Sequence, residues 1–399
     1  MKMRLMAFVT GFLILALPLS GPAQDSSAIY LKRAESLYTT IWNLYRAPAY
    51  PGLFTENYPS HHNDTLTYFQ GSAVKEKAVS FLWPFSGMFS ATNVLLKMPA
   101  ARNKYLPYLD TLVTGVEAYC DNSRFPPGYQ AYPVKLEKSD RYYDDNGLVG
   151  MDYMEAYFNT RNPIYLQRAE EVFKFILSGW NADLGGGVTW LEGHKDQKPA
   201  CSNGTATLVA LKIYSGSKNK YYLDWGLKFY NWMMRNLLDS ATGVISNDKK
   251  LDGSVNKTFW TYNTGFMLEA SVMLYHFTGD KKYLTAAQSL AAAAYRHFGN
   301  KTGNGKVSML DMPWFVVVLF RGYEALYDVD GNPDYINVIA QNVNDAWMNK
   351  DRHGLLSKNW YGHNDDPAKP KWLLDESCMV EFYARLARIK KGRSLMGDR

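Results

Sequence analysis

Arg141-Tyr142-Tyr143-Asp144-Asp145-Asn146-Gly147 sets two carboxylates side by side, after two tyrosines and before a stretch, Leu148 to Phe158, that is apolar on nearly every side. A helix apolar all round is a buried helix. The pair is therefore expected at the mouth of a buried element, near a helix N-terminus. Carboxylates held in a pocket there are candidates for acid/base and nucleophilic chemistry. Asp before a helix is also a favoured N-cap, and the helix dipole stabilises its charge. Capping alone competes with catalysis as the reason for Asp144 and Asp145, and the rest of the chain has to decide between them.

Other constellations carry less chemistry. His61-His62-Asn63-Asp64 is a polar loop with no third ligand at metal spacing, so no metal and no cofactor are expected. Asp365-Asp366 precedes Pro367, follows Trp360-Tyr361 and is flanked by lysines, the pattern of an exposed turn. Gly185-Gly186-Gly187 has no Lys-Ser or Lys-Thr after it, which excludes a phosphate-binding P-loop; a turn carrying Trp190 toward a cleft is the better reading. No Gly-x-Ser-x-Gly elbow is present. Cys120, Cys201 and Cys378 are odd in number and far apart, which reads as buried or idle thiols.

Lys2 and Arg4 lead an apolar run, Leu5 to Leu17, broken by Pro18 and followed by Gly21-Pro22-Ala23. This reads as a signal peptide, residues 1–23, leaving 24–399 as one catalytic domain. The expectation is an exported protein, periplasmic or extracellular, with no membrane contact after signal removal. No Cys near the cleavage point argues for a lipid anchor. Without Lys2 and Arg4 the formal charge falls from +6 to +4. The remaining bases are interleaved with acids, so nucleic acid is not an expected partner. A monomer is the default expectation, though no residue pattern fixes it.

The elements that must hold the pair emerge from a repeat. Tyr30-Leu31, Tyr105-Leu106, Tyr165-Leu166, Tyr222-Leu223, Tyr283-Leu284 and Tyr335-Ile336 each open an amphipathic helix. Six more apolar helices alternate with them, at about Phe81–Lys97, Leu148–Phe158, Ser202–Tyr214, Thr264–Phe277, Pro313–Tyr327 and Leu374–Ile389. The pattern predicts an all-α (α/α)6 barrel of six helical hairpins, with each half-exposed helix paired to the buried one that follows. An open stack of helix pairs is the alternative. In a closed barrel the segments leading into the inner helices converge on one end. They carry Trp83, Tyr143 with Asp144 and Asp145, Asn146, Asn203, Trp260, Tyr262 and Asn263, and also Trp314 and Trp372. Aromatic faces beside amides and carboxylates suit a sugar-binding cleft.

Four segments in order, Tyr142-Tyr143-Asp144-Asp145-Asn146, Leu177-Ser178-Gly179-Trp180 leading to Gly185-Gly186-Gly187-Val188-Thr189-Trp190, Cys201-Ser202-Asn203 and Thr261-Tyr262-Asn263-Thr264-Gly265, resemble glycoside hydrolase family 76, the α-1,6-mannanase family. The resemblance spans about residues 28–390. It implies an (α/α)6 barrel that cleaves α-1,6-mannosidic linkages of mannan backbones, endo-acting and with retention, with Asp144 as nucleophile and Asp145 as general acid/base. Its substrate would be α-mannan or α-1,6-mannooligosaccharide. Substrate-binding candidates are Trp83, Tyr143, Asn146, Trp190, Asn203, Trp260, Tyr262 and Asn263. A retaining pair has its carboxyls roughly 5–5.5 Å apart. Neighbouring residues normally point apart, so a backbone bend at Asp144-Asp145, permitted by Asn146-Gly147, is expected. This chain departs from the family at Gly147-Leu148, where an aromatic is common, and at Thr264, where Gln is common. A non-catalytic mannan-binding protein, a transglycosylase and an unsaturated-glucuronyl hydrolase are the competing readings.

Overall fold

The computed structural model describes residues 26–61, 65–66, 74–301, 303, 305–357 and 369–392. The proposed signal segment, residues 62–64 of the histidine loop, and Trp360-Tyr361 with Asp365-Asp366 lie outside them. Twelve helices follow one another among the described residues: α1 (Ser26–Leu44), α2 (Leu82–Leu96), α3 (Pro99–Val116), α4 (Tyr143–Thr160), α5 (Pro163–Ser178), α6 (Ala200–Ser217), α7 (Lys220–Asn236), α8 (Thr261–Thr278), α9 (Lys281–Phe298), α10 (Pro313–Asp330), α11 (Asp334–Met348) and α12 (Leu373–Lys390). The even-numbered helices are buried almost throughout, as α8 is from Thr261 to Leu274. The odd-numbered ones bury a single stripe. In α7 it runs Tyr222, Gly226, Phe229/Tyr230 and Trp232/Met233, the one-sided spacing of a surface helix.

Each buried helix packs on the next, α2 on α4, α4 on α6, α6 on α8, α8 on α10 and α10 on α12, and α12 packs back on α2. The inner ring is therefore closed, as the (α/α)6 barrel requires, and the open stack is excluded. The pairing order differs from the sequence-based expectation. Tight hairpins join an inner helix to the outer helix after it (α2 to α3, α4 to α5, α6 to α7, α8 to α9), while α1 packs on α12. The reason is in the turns. Arg161, Lys218, Gly279 and Gly331 end α4, α6, α8 and α10 in the left-handed conformation, with φ from 58° to 71°. Asn162, Asn219 and Asp280 then cap α5, α7 and α9 by accepting the amide two residues on. A left-handed stop followed at once by an N-cap leaves no room for anything but a sharp reversal.

The recurring tyrosines are contact points between the rings. Tyr30 stacks on Tyr383 (ring centroids 6.4 Å apart), Tyr165 on Tyr153 (6.3 Å) and Tyr335 on Tyr323 (4.7 Å). All three inner partners occupy the eleventh residue of their helix. Long connections from outer to inner helices gather at the other end of the barrel. There Asn57–Tyr58 pairs with Lys371–Trp372, which joins the beginning of the ring to its end. Among the described residues no helix is long and apolar enough to cross a membrane.

Candidate active site

Four inner helices, α4, α6, α8 and α12, begin earlier than their apolar runs. For α4 the start is Tyr143 rather than Leu148, so Asp144 and Asp145 occupy the first helical turn. The N-cap is Tyr142, which makes no side-chain cap hydrogen bond. Neither aspartate is therefore the N-cap residue, and no backbone bend is needed: consecutive helical residues already diverge by about 100°. Gly147 serves a different purpose from the expected hinge. A Cβ there would lie 2.2 Å from Thr205 Oγ1, so glycine is what lets α4 approach α6.

A cleft with about 590 Å³ of atom-free space, counted out to the solvent, opens along the barrel axis. Its wall has a simple register. The second residue of every inner helix faces it: Trp83, Asp144, Cys201, Tyr262, Trp314 and Leu374. The sixth residue forms the next tier (Gly87, Leu148, Thr205, Phe266, Val318 and Cys378), and Ser90, Met151, Arg321 and Glu381, each the ninth residue, lie deeper. Steps of four and three keep to one helical face. The mouth is thus aromatic and acidic, the middle apolar and the floor charged. Trp83 and Trp314 meet edge to face at 4.2 Å, and Tyr262 lies tilted 5.6 Å from Trp314.

Asp144 is 5% exposed. Its Oδ2 accepts the Trp190 indole N–H at 3.3 Å, whereas Oδ1 is buried without a hydrogen-bond partner. Trp190, 40% exposed, is carried to this point by the glycine turn, where Gly185, Gly186 and Gly187 all have positive φ. A Cβ on Gly186 would strike the Trp180 ring. The buried Lys198 ammonium fastens the turn by donating to the carbonyls of Asn181, Asp183 and Gly186. Beneath it, Arg141 is fully buried, with its guanidinium on Glu192 and on the carbonyls of Arg124 and Pro126. Asp145, 6% exposed, sits one place further round α4 and is not part of the cleft wall.

Burial pushes the Asp144 carboxyl up. The Cys201 thiol, the backbone N–H groups of Asp144 and Asp145, and the Trp190 indole oppose that rise. Asp145 has no such support. Burial, then the charge of Asp144, drive it well above the usual carboxylate range. The charge of Asp144 thus favours the protonated form of Asp145, while the donors around Asp144 favour its anion.

Besides Asp145, and Trp190 which touches Asp144 from outside the lining, five substrate-binding candidates do not reach the cleft wall. The Tyr143 ring stacks on Phe175 of α5 at 4.9 Å with its hydroxyl on Ser178, facing the outer ring. Asn146 and Asn203 are saturated by backbone. Asn146 brackets Tyr129 and reaches the Tyr142 carbonyl; Asn203 brackets Val188 and reaches that of Pro199. Both are the fourth residue of their helix, where Thr264 and Glu376 likewise accept the amides of Ile245 and Leu356. This position staples the preceding loop to the helix and is structural. Trp260 tilts over Phe315 at 5.2 Å, with its indole nitrogen buried and unpartnered. Asn263 is fully buried with neither amide atom partnered. Trp83, Asp144 and Tyr262 come together on the wall, with Trp190 against Asp144. Trp314, which the sequence places among the converging segments, is also on the wall; Leu374 and Cys201 were missed as wall residues, although their shared second-residue position was a usable signal. Among the described residues no group of three or more His, Cys, Asp or Glu could hold a metal ion.

A closed double ring of helices with neighbouring buried acids at its aromatic mouth defines a class of carbohydrate-processing (α/α)6 barrels. Comparison narrows it: the model of glycosyl hydrolase family 76 matches residues 62–312, and the chain belongs to that family. A family 76 mannosidase from Bacteroides thetaiotaomicron is similar over 92% of this chain and 100% of its own, at 26% identity and a TM-score of 0.81. The mannan endo-1,6-alpha-mannosidase DCW1 of Saccharomyces cerevisiae is 32% identical over 162 residues, 36% of each chain. This chain thus aligns with about a third of the length of the curated relatives it matches. An α-1,6-mannanase of Salegentibacter, solved as an inactive variant with two consecutive aspartates replaced by asparagine and in complex with α-1,6-mannotriose, shares the fold at 22% identity. It covers 90% of this chain and 99% of its own, with a TM-score of 0.71.

Proposed function

We propose that the protein is an exported, retaining endo-α-1,6-mannanase acting on mannan backbones, with Asp144 as nucleophile and Asp145 as general acid/base. The observation that carries this reading is the contrast within the pair. One buried carboxylate faces the cleft and is supported as an anion, while its neighbour is disposed to keep its proton. In the first step an Asp144 oxygen bonds to the anomeric carbon as the glycosidic C–O bond breaks, and Asp145 delivers its proton to the leaving oxygen. In the second step Asp145 takes a proton from water, whose oxygen displaces Asp144. Trp83, Trp314 and Tyr262 would stack on sugar faces. Two relatives support the substrate class, a curated protein named for endo-1,6-α-mannosidase action and a family structure described as a mannosidase.

The test is NMR of early products from debranched α-1,6-mannan. The expected outcome is oligosaccharides of mixed length released first as α-anomers. Release of β-anomers, or of mannose alone, rejects retention or endo action respectively. Asp144→Asn and Asp145→Asn should each lower kcat by at least about a thousandfold while the mannooligosaccharide Kd stays within a few-fold, in line with loss of an essential group. Binding without turnover by the native protein would point instead to a mannan-binding role.

A further inference from the structure

Cys201 lies on the cleft wall at the second residue of α6, between Asp144 on α4 and Tyr262 on α8. It is 9% exposed and unpaired. Its thiol lies against the Asp144 carboxylate and the Tyr262 hydroxyl. Besides the backbone N–H groups of Asp144 and Asp145, the strong donor to Asp144 is the Trp190 indole, on Oδ2. Oδ1 is buried, makes no hydrogen bond, and belongs to a side chain that faces the cleft. The neighbour the fold offers this carboxylate from α6 is a thiol, a weak donor.

We propose that Cys201 is a positioning residue for Asp144: it fills the space beside the carboxylate with bulk that cannot donate a strong hydrogen bond, leaving Oδ1 as the free, basic oxygen. This deepens the glycosidase reading and rests on it. A hydroxyl at the same place would bind the anion tightly in the ground state. That bond would have to weaken as the carboxylate loses its charge to the anomeric carbon, an interaction stronger before the transition state than in it, which slows the step. The groups facing Asp144 are Asp145 on its own helix, Trp190 from the glycine turn, Cys201 from α6 and Tyr262 from α8. Tyr142 and Asp311 stand behind them. Only the thiol can be changed from weak to strong donor by one atom.

Cys201→Ser and Cys201→Ala separate this role from packing. With Ser, the acidic limb of kcat/KM should move down by about one pH unit and kcat should fall by about tenfold, with KM for mannotetraose within about twofold. With Ala, the limb should stay or move up. Carbon-13 titration of Asp144 in an Asp145→Asn background, with and without Cys201→Ser, should show the same downward shift without any turnover. The proposal is overturned if Ser leaves limb and titration in place, or if Ser and Ala move them in the same direction, as a purely structural thiol would. Were the native protein inactive on every mannan, the mechanism above would fail, but the titration would still decide the role of Cys201.

Discussion

The two acids at the mouth owe their division of labour to what surrounds each, since they share a helix turn and a chemical type. Asp144 is buried but supported by backbone and side-chain donors; Asp145 is buried and faces the charge of its neighbour. A pH profile should follow. The free enzyme acts when Asp144 has lost its proton and Asp145 has kept it. Both carboxyls are raised, so both limbs of kcat/KM should lie above the ordinary carboxylate range, the basic limb well above it. An Asp145→Asn variant should lose the basic limb and keep the acidic one when assayed with an activated aryl mannoside, whose leaving group needs no proton. Trp190→Phe removes the indole donor while keeping the ring. It should move the acidic limb upward by up to about one unit, and an unchanged limb would deny the Trp190 bond any role. Of this site, Asp144, Trp83 and Tyr262 were legible from residue type and order. Leu374 and Cys201 were not singled out, and Trp314 was placed only among the converging segments, because membership of the wall depends on the phase of each helix. That phase was lost where the polar residues Tyr143 to Gly147 were taken for a loop.

Helix starts and stops decide that phase, and they are written in short polar codes. The alternation of one-sided and all-round apolar segments was enough to predict twelve helices in two rings, since burial on one face or on all faces is a property of the segment itself. Which helix pairs with which was not legible from apolar pattern. It rests on left-handed residues such as Arg161 and Lys218, which no propensity scale marks as helix stops, and on the Asn or Asp one place later. Asn219→Ala should remove the amide-accepting cap of α7 and lower stability by about 1 kcal/mol, measured by urea denaturation, with kinetics unchanged because the turn lies at the end of the barrel away from the acids. Gly147→Ala should do the reverse. Its Cβ would overlap Thr205, itself a wall residue, so α4 must shift against α6. The expected result is a fall in kcat of at least about tenfold, as small misplacement of catalytic groups produces, with mannooligosaccharide affinity also reduced. Native kinetics in Gly147→Ala would show that this contact does not position Asp144.

Closing six helices into one ring places their far ends around a common axis, and that axis is charged. Lys212 of α6 joins Glu155 of α4 at 2.7 Å and Glu269 of α8 at 2.9 Å, while Lys97, the C-cap of α2, reaches Glu155 at 2.6 Å. On the other half, Arg321 of α10 pairs with Glu381 of α12 and donates to Ser90 of α2. Glu324 of α10 accepts Arg385 and Arg388 of α12, each at 2.5 Å. Every inner helix is thus tied to another through buried ions, below the apolar tier that separates them from the mouth. Buried pairs of this kind add little net stability when intact but leave uncompensated charge when one partner goes. Glu324→Ala removes the carboxylate that Arg385 and Arg388 share, leaving Arg385 only its pair with Glu381, and should lower stability by about 3–5 kcal/mol. Loss of helix signal and of tryptophan fluorescence should still coincide in urea, because the ring closes through α12 and cannot open in part. The same ions set the acid limit. Burial raises Glu381, but Arg321 and Arg385 outweigh it and hold the carboxyl at about 2, and Glu324 is also lowered. Carboxyls depressed in the folded state stabilise it above their unfolded pKa, and that contribution disappears as pH falls from about 4.5 toward 2. Glu381→Gln should therefore be less stable than the native chain at pH 7, and the gap should narrow steadily below pH 4.5. A gap independent of pH would mean that Glu381 acts through packing rather than charge.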